Sequence, residues 1–216
     1  MINSLLIYDL ETNGYFTGNL DPQVIEVAFL LISEEGVIAF NELINTDANG
    51  NLIVISDKIT EVTGITNELL RIKGKSSLEV MGILSTVGKN SFMIVGHNSV
   101  RFDNLFVKHL TGVDFRNKTF DTGGEFKSRV MGWKKFNNDS FNKFHDKILD
   151  TPRRGLKWNL DVACEDAGIT PMENRHRAIT DVVMTAKLFI YQWELYKEKH
   201  TINPKILSNL ETYLNK

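Results

Sequence analysis

A short apolar run near the amino terminus ends in two acidic residues. Residues 5–8 read Leu-Leu-Ile-Tyr, and Asp9-Leu10-Glu11-Thr12 follow directly. An apolar run of this length predicts a buried strand. Because side chains two residues apart on a strand point to the same face, Asp9 and Glu11 would project together from its end. Two such carboxylates repel each other unless a cation lies between them. For this pair alone, a solvated strand end is the alternative interpretation.

A third acid, Asp103, follows a second short apolar strand predicted over residues 92–96. The connecting turn contains His97 and Asn98, and Asp103 opens the helix predicted over residues 101–110. A helix amino terminus favours a carboxylate by itself, which is the alternative to metal binding here. His97 and Asn98 have an alternative role of their own, since they can order the turn through hydrogen bonds.

The fourth acid lies in the first turns of the longest predicted helix, residues 178–199. Asp181 follows His176 by five residues, so a loop imidazole can lie beside a helix carboxylate. Taken alone, Asp181 is explained as a helix-dipole acid and His176 as a surface histidine. Taken together, four carboxylates and one imidazole are what a two-metal phosphodiester nuclease needs. Carboxylate oxygens suit Mg²⁺ or Mn²⁺, and imidazole accepts a proton from water near neutral pH.

Bulk properties bound the class of protein. The 216 residues suit one globular domain over residues 1–216, and 42% hydrophobic with 24% charged residues is ordinary for a soluble protein. A net charge of −2 gives no global basic signature, although basic charge can still be local. The lone Cys164 excludes an internal disulfide and zinc binding through cysteines. With no signal peptide and no apolar run of about 18 residues, we expect no membrane association and a cytoplasmic protein, of a cell or of a virus in its host.

Hydrophobic periodicity predicts an α/β chain with strands and helices interspersed. No repeat or linker interrupts it, and the residues after Pro204 form a helical tail over residues 201–216. The predicted strands are residues 5–10, 23–33, 37–45, 92–96 and 118–120. The predicted helices are residues 57–64, 66–72, 76–88, 101–110, 159–167, 178–199 and 201–216.

Residues 123–158 form an insertion in which basic and aromatic residues alternate. It contains Lys134, Lys135, Arg153 and Arg154, together with several phenylalanines and tryptophans close by. Interleaved bases and aromatics are typical of a surface that guides a single nucleic-acid strand. The alternative is a solvated insertion whose aromatic side chains pack into the core.

The ordered motifs resemble those of the DEDDh branch of the DnaQ-like 3′–5′ exonucleases. Residues 9–12 resemble the family's Asp-x-Glu-Thr, residues 97–103 its His-Asn turn with an aromatic-Asp pair, and residues 176–181 its His-x-Ala-x-x-Asp. The similarity runs from about residue 5 to residue 188. The tyrosine branch of the family places Tyr where this chain has Arg177, so the histidine branch is the better match.

The resemblance implies an RNase H-like fold, with a mixed five-stranded sheet flanked by helices. It further implies two Mg²⁺ or Mn²⁺ ions per active site, about 4 Å apart, that clamp the scissile phosphate. Asp9, Glu11, Asp103 and Asp181 would be the metal ligands, and His176 would be the general base. Thr12, Asn98 and Phe102 would hold the terminal nucleotide, with core packing as the alternative for Phe102.

The predicted activity is therefore a metal-dependent 3′–5′ exonuclease that acts on single-stranded 3′ ends, DNA favoured, and releases nucleoside 5′-monophosphates. An exoribonuclease of the same fold is one alternative, because no residue that reads a 2′-hydroxyl can be located. A polymerase-associated proofreading or accessory subunit is another, and makes a DNA polymerase a candidate partner. The sequence does not determine the oligomeric state.

Overall fold

A mixed six-stranded sheet forms the centre of the molecule. The computed structural model describes residues 2–16, 22–136, 139–173, 176–196 and 201–216. The strand order is β4-β3-β2-β1-β5-β6; β2 is antiparallel to β1 and β3, while the other neighbouring pairs are parallel. The strands are β1 (Ser4–Thr12), β2 (Val24–Ser33), β3 (Gly36–Thr46), β4 (Lys75–Ser76), β5 (Met93–Gly96) and β6 (Thr119–Asp121).

Helices cover both faces of this sheet. Several of them begin at a polar residue whose side chain accepts a hydrogen bond from the first turn, as Ser76 does from the Glu79 amide. The helices are α1 (Asp57–Thr63), α2 (Asn67–Lys73), α3 (Ser77–Asn90), α4 (Asp103–Thr111), α5 (Thr122–Val130), α6 (Phe141–Asp150), α7 (Leu160–Asp166), α8 (Ala178–Glu194) and α9 (Pro204–Leu214). Within the described part of the chain, no helix is long and apolar enough to cross a membrane.

Strand β1 lies in the interior of the sheet and sends alternate side chains to opposite faces. Leu6, Tyr8 and Leu10 pack in the core beneath α3 and α4, whereas Leu5 and Ile7 pack in the core beneath α8 and α9. With a side-chain period of two, Asp9 and Glu11 continue the row on the α8 face. The row that starts as core therefore ends as a pair of carboxylates at the carboxyl end of the strand.

The predicted elements are largely confirmed, and they differ in the number of strands, in two additional helices and in the end of α8. The sheet has six strands rather than the expected five, because the two residues of β4 pair with β3 next to Ile44. Two helices, α5 and α6, lie within the segment predicted as an insertion, and Phe126 and Phe144 in them are buried. The end of the helix predicted to reach residue 199 lies partly outside the described residues, and α8 itself ends at Glu194.

Candidate active site

Three carboxylates from two elements converge at the carboxyl end of β1. Asp9 and Glu11 come from β1, and Asp181 comes from the first turn of α8. One oxygen from each lies within 4.8 Å of the others. Asp9 and Glu11 are partly buried, and Asp181 is 8% exposed. Three negative groups held this closely are a donor set that fits a hard divalent cation, whose charge would offset their repulsion.

The fourth predicted acid, Asp103, borders the same cleft from the other side. Its side chain is 3% exposed, and its Oδ1 accepts a hydrogen bond from the Leu10 amide at 3.0 Å. This bond ties the start of α4 to the backbone between the two acids of β1. Burial raises the pKa of the Asp103 carboxyl to about 7, and the nearby charge of Asp121 adds to the rise.

His176 lies on the loop that enters α8, where it is exposed and borders the cleft. Its backbone φ is +63°, in the left-handed region that residues with a side chain rarely adopt. Arg177, the residue after it, is the N-cap of α8, and the Arg177 carbonyl oxygen accepts from the Asp181 amide at 3.1 Å. Arg177 therefore connects His176 to the first turn of α8, in which Asp181 lies.

Hydrogen bonds to Asp121 fix the turn between β5 and α4. The Asp121 carboxylate, fully buried, accepts from the amides of Asn98 and Val100, both at 3.0 Å, and caps α5 through the Gly124 amide. Asn98 has a φ of +59°, and its Oδ1 is buried without a hydrogen-bond partner in the described structure. Its backbone is fixed while its side-chain oxygen remains available.

His97 connects the same turn to the far wall of the cleft. One imidazole nitrogen, Nδ1, is 3.0 Å from the Thr122 hydroxyl, and Nε2 is 3.1 Å from the Trp158 carbonyl oxygen. The cleft has a volume of about 510 Å³. It is lined by Asp9, Leu10, Glu11, His97, Asn98, Phe102, Asp103, Leu156, Lys157, Trp158, Asn159, Leu160, His176 and Asp181. All five predicted chemical residues therefore border one cavity.

The predicted substrate-binding residues fall into separate places. Asn98 and Phe102 line the cleft, but the Thr12 hydroxyl donates to the Gly14 carbonyl oxygen at 2.8 Å. Lys134 and Lys135 line a second cavity, of about 570 Å³, rather than the cleft. The remaining two, Arg153 and Arg154, are exposed on the loop just before residues 156–160 of the cleft wall.

Sequence reasoning missed three residues that shape the site. Asp121 was not among the predicted site residues, although it organises the turn before α4. Glu26 is fully buried and bonded to Arg177; a lone charge within the apolar run of β2 was the available signal. Tyr15 contacts Phe102, with ring centroids 5.5 Å apart, and nothing in the local pattern indicated this.

The fold and the acidic cleft together define a nuclease of the RNase H-like class. The sequence profile of the RNase T exonuclease family matches residues 6–189, and the chain belongs to this exonuclease family. The expected relationship to the DnaQ-like 3′–5′ exonucleases is thereby confirmed, and so is the expected fold class.

Curated relatives of the chain include bacterial DNA polymerase III proteins. The chain is 28% identical over 202 residues to the PolC-type DNA polymerase III of Thermotoga petrophila, covering 90% of this chain but 12% of that protein. It is 27% identical over 195 residues to the DNA polymerase III subunit epsilon of Aquifex aeolicus, covering 87% of this chain and 79% of that subunit. The chain thus spans about an eighth of the length of the PolC-type relatives it matches.

Solved structures share the fold at low sequence identity. A zinc-bound complex of Escherichia coli exonuclease I with single-stranded DNA has a TM-score of 0.61 at 19% identity, covering 97% of this chain and 43% of that one. A 3′-exonuclease that recognises the 3′ end of the histone mRNA stem-loop has a TM-score of 0.60 at 12% identity, covering 89% and 82%. At these identities the likeness supports the fold alone.

Proposed function

We propose that the protein is a metal-dependent 3′–5′ exonuclease that removes nucleotides from single-stranded 3′ ends, with DNA favoured over RNA. One observation carries the proposal: Asp9, Glu11 and Asp181 present oxygens within 4.8 Å of one another in a cleft that His176 also borders. Membership of the exonuclease family supports the same reaction. The names of the curated relatives, which are DNA polymerase components, favour DNA.

Each residue has a separate role in this proposal. Asp9, Glu11 and Asp181 would hold Mg²⁺ or Mn²⁺, and Asp103 would support a second ion. Bound metal supplies a more acidic water and neutralises charge on the scissile phosphate. His176 accepts the proton of the attacking water, whose oxygen then forms the new bond to phosphorus. The bond to the 3′-oxygen of the preceding nucleotide breaks, and a nucleoside 5′-monophosphate leaves.

The walls of the cleft hold the terminal nucleotide. The Asn98 Oδ1 is buried without a partner in the described structure, so it can accept a hydrogen bond from the sugar or base. Phe102 offers an aromatic face at the cleft, on which any base can stack. Thr12 contributes through its backbone, since its hydroxyl is already bonded to Gly14.

Several broader features belong to the same proposal. The chain forms a single exonuclease domain over residues 1–216, with residues 123–158 as an insertion and residues 201–216 as a helical tail. It acts in the cytoplasm, which its lone cysteine supports. A DNA polymerase is the proposed partner, because the chain covers 79% of the DNA polymerase III subunit epsilon that it matches.

One degradation assay tests the proposal. End-labelled single- and double-stranded DNA and RNA are incubated with Mg²⁺, Mn²⁺ or chelator, for the wild type, Asp9→Ala and His176→Ala. We expect release of 5′-mononucleotides from the 3′ end of single-stranded DNA, no activity in chelator, and a loss of about 10²- to 10⁴-fold in His176→Ala.

Asp57→Ala is the matched control, because Asp57 is an exposed acid in the first turn of α1, away from the cleft. Its activity should equal that of the wild type. Preferential release from RNA would replace the DNA assignment with an exoribonuclease. No release with either metal, together with co-purification of a polymerase, would instead favour a non-catalytic accessory subunit.

A further inference from the structure

The buried carboxylate of Glu26 lies on β2, directly opposite Glu11 of β1 in the antiparallel register. Residues opposite each other in such a pair project to the same face, so Glu26 shares the α8 face with the acidic pair. Glu26 is fully buried. A buried carboxylate beside another carboxylate is unfavourable unless it is paired and hydrogen-bonded. The hydrogen-bond partners of Glu26 therefore indicate its structural role.

Among the described residues, the hydrogen-bond partners of Glu26 are the two residues that follow His176. The Arg177 guanidinium donates from Nη2 to Oε1 at 2.6 Å and from Nε to Oε2 at 3.1 Å, which is a two-pronged ion pair. The Ala178 amide, the first of α8, donates to Oε2 at 3.0 Å. One carboxylate thus binds both the guanidinium and the positive end of the helix dipole.

This arrangement fixes the backbone immediately after His176. That residue has a left-handed φ of +63°, a conformation that persists only where neighbouring contacts hold it. Arg177 is anchored to the interior of the sheet through Glu26, and the described loop around His176 is otherwise exposed. The hydrogen bonds of Arg177 and Ala178 to Glu26 tie this loop to the sheet in the described structure.

We propose that Glu26 and Arg177 are positioning residues that hold the His176 imidazole over the cleft for proton transfer. The inference rests on the proposed exonuclease function and deepens it. Neither residue lines the cleft among the described residues, so neither touches the reacting atoms. Both act through the histidine. A misplacement of about 1 Å of a catalytic group can cost about 100-fold in rate.

The test compares Glu26→Gln and Arg177→Lys with the wild type in a single-turnover assay on an end-labelled single-stranded DNA oligonucleotide. Glu26→Gln keeps the shape of the side chain, and Arg177→Lys keeps the charge but loses the two-pronged geometry. We expect the rate constant to fall about 10- to 100-fold in each, with the KM for DNA and the calorimetric Mn²⁺ affinity within about threefold of the wild type.

A double-substitution cycle separates positioning from general damage. In the His176→Ala background, the same two substitutions should lower the rate by less than about threefold, because the group they position is gone. Glu42→Gln is the matched control, since it removes the partly exposed ion pair, 2.8 Å long, between Glu42 of β3 and Lys75 of β4, and should leave the rate unchanged. Thermal melts identify a variant that does not fold, in which case the other carries the test.

Three outcomes overturn the inference while leaving the proposed function in place. They are unchanged rates in folded variants, a full-sized loss in the His176→Ala background, or a fall in Mn²⁺ affinity as large as the fall in rate. The last would mean that the pair serves the carboxylates Glu11 or Asp181 instead, since Glu11 lies opposite Glu26 and interacts with the Arg177 charge. A wild type that releases no nucleotide would remove the proposed function, and this inference with it.

Discussion

At the scale of single residues, the cleft combines groups that a folded protein usually keeps apart. Asp103 is nearly as buried as the leucines of the core, and burial raises the pKa of its carboxyl to about 7. An aspartate in an unfolded chain titrates near about pH 4. The folded protein therefore retains this proton over a pH range in which the unfolded chain has already lost it.

The pKa of Asp103 predicts how the stability of the metal-free protein depends on pH. Between about pH 4 and pH 7 the folded state binds more protons than the unfolded state, so its stability falls as pH rises. Asp103→Asn removes this titration. In chelator, we expect the free energy of unfolding of the variant to be larger than that of the wild type by about 2 kcal/mol at about pH 8. The difference should disappear near about pH 4. Urea unfolding at several pH values measures this difference in stability. A difference that does not change with pH would contradict a raised pKa for Asp103.

Phe102 lines the cleft and contacts both Tyr15 and Phe106. Because base stacking on an aromatic side chain contributes about 1–3 kcal/mol, Phe102→Ala should raise the KM for short single-stranded oligonucleotides about tenfold. Leu105→Ala, from an exposed position on the same helix, is the control and should leave KM unchanged. A large drop in thermal stability with unchanged KM would assign Phe102 to core packing.

At the scale of elements, close approach of helix α3 to the rest of the core depends on Gly88. A Cβ at this position would lie 2.1 Å from Cζ of Phe115, and the ring of Phe115 is itself buried. The same helix contains Gly82, around which a Cβ would meet nothing within 4 Å. A side chain is therefore excluded by packing at Gly88 but would fit at Gly82 in the same helix.

Alanine substitutions at the two glycines should therefore act in opposite directions. Gly88→Ala is expected to destabilise the protein by about 1–3 kcal/mol through overpacking. Gly82→Ala should stabilise it by about 0.5–1 kcal/mol, because alanine favours the helix. Paired denaturant titrations check both signs. Equal effects would show that packing against Phe115 does not set the spacing.

Elements were predictable from the sequence where their burial followed a simple period. Strand β1 and its acidic end followed from the apolar run that leads to Asp9 and Glu11, and α3 from the helical spacing of apolar residues over residues 76–88. Helix α5 was missed because it buries polar side chains: Lys127 is 3% exposed, and its Nζ donates to the Leu149 carbonyl oxygen at 3.0 Å. Such residues look solvent-facing until their distant partners are known.

At the scale of the whole molecule, the same limit applies to the site. The ordered motifs predicted that five residues share one cleft, because each lies next to a predictable strand or helix end. They are Asp9, Glu11, Asp103, His176 and Asp181. The pairing of Glu26 with Arg177 joins residues 151 positions apart, and local pattern carries no record of it. Basic residues were the least predictable, since charge composition does not specify which surface a long side chain covers.

The path of the substrate strand can be located by salt dependence. Arg153 and Arg154 lie beside the cleft wall, whereas Lys134 and Lys135 line the second cavity, and Lys135 donates to the Asp139 carbonyl oxygen. Neutralising both arginines to glutamine should reduce the slope of log affinity against log salt by about 1.4 if each contacts one phosphate. A variant with Lys134 and Lys135 both replaced by glutamine is the comparison, and it should change the slope less. Equal slopes in all three proteins would remove residues 123–158 from the proposed strand path.

Both non-glycine residues with a positive φ in the described chain, Asn98 and His176, border the cleft. Glycine would adopt either backbone conformation without the steric cost of about 1–2 kcal/mol that a side chain brings. A library selected only for survival after heating should therefore enrich glycine at positions 98 and 176, and the survivors should digest DNA slowly. A library selected for turnover should keep the native residues, so resistance to heat and speed are opposed at these two positions.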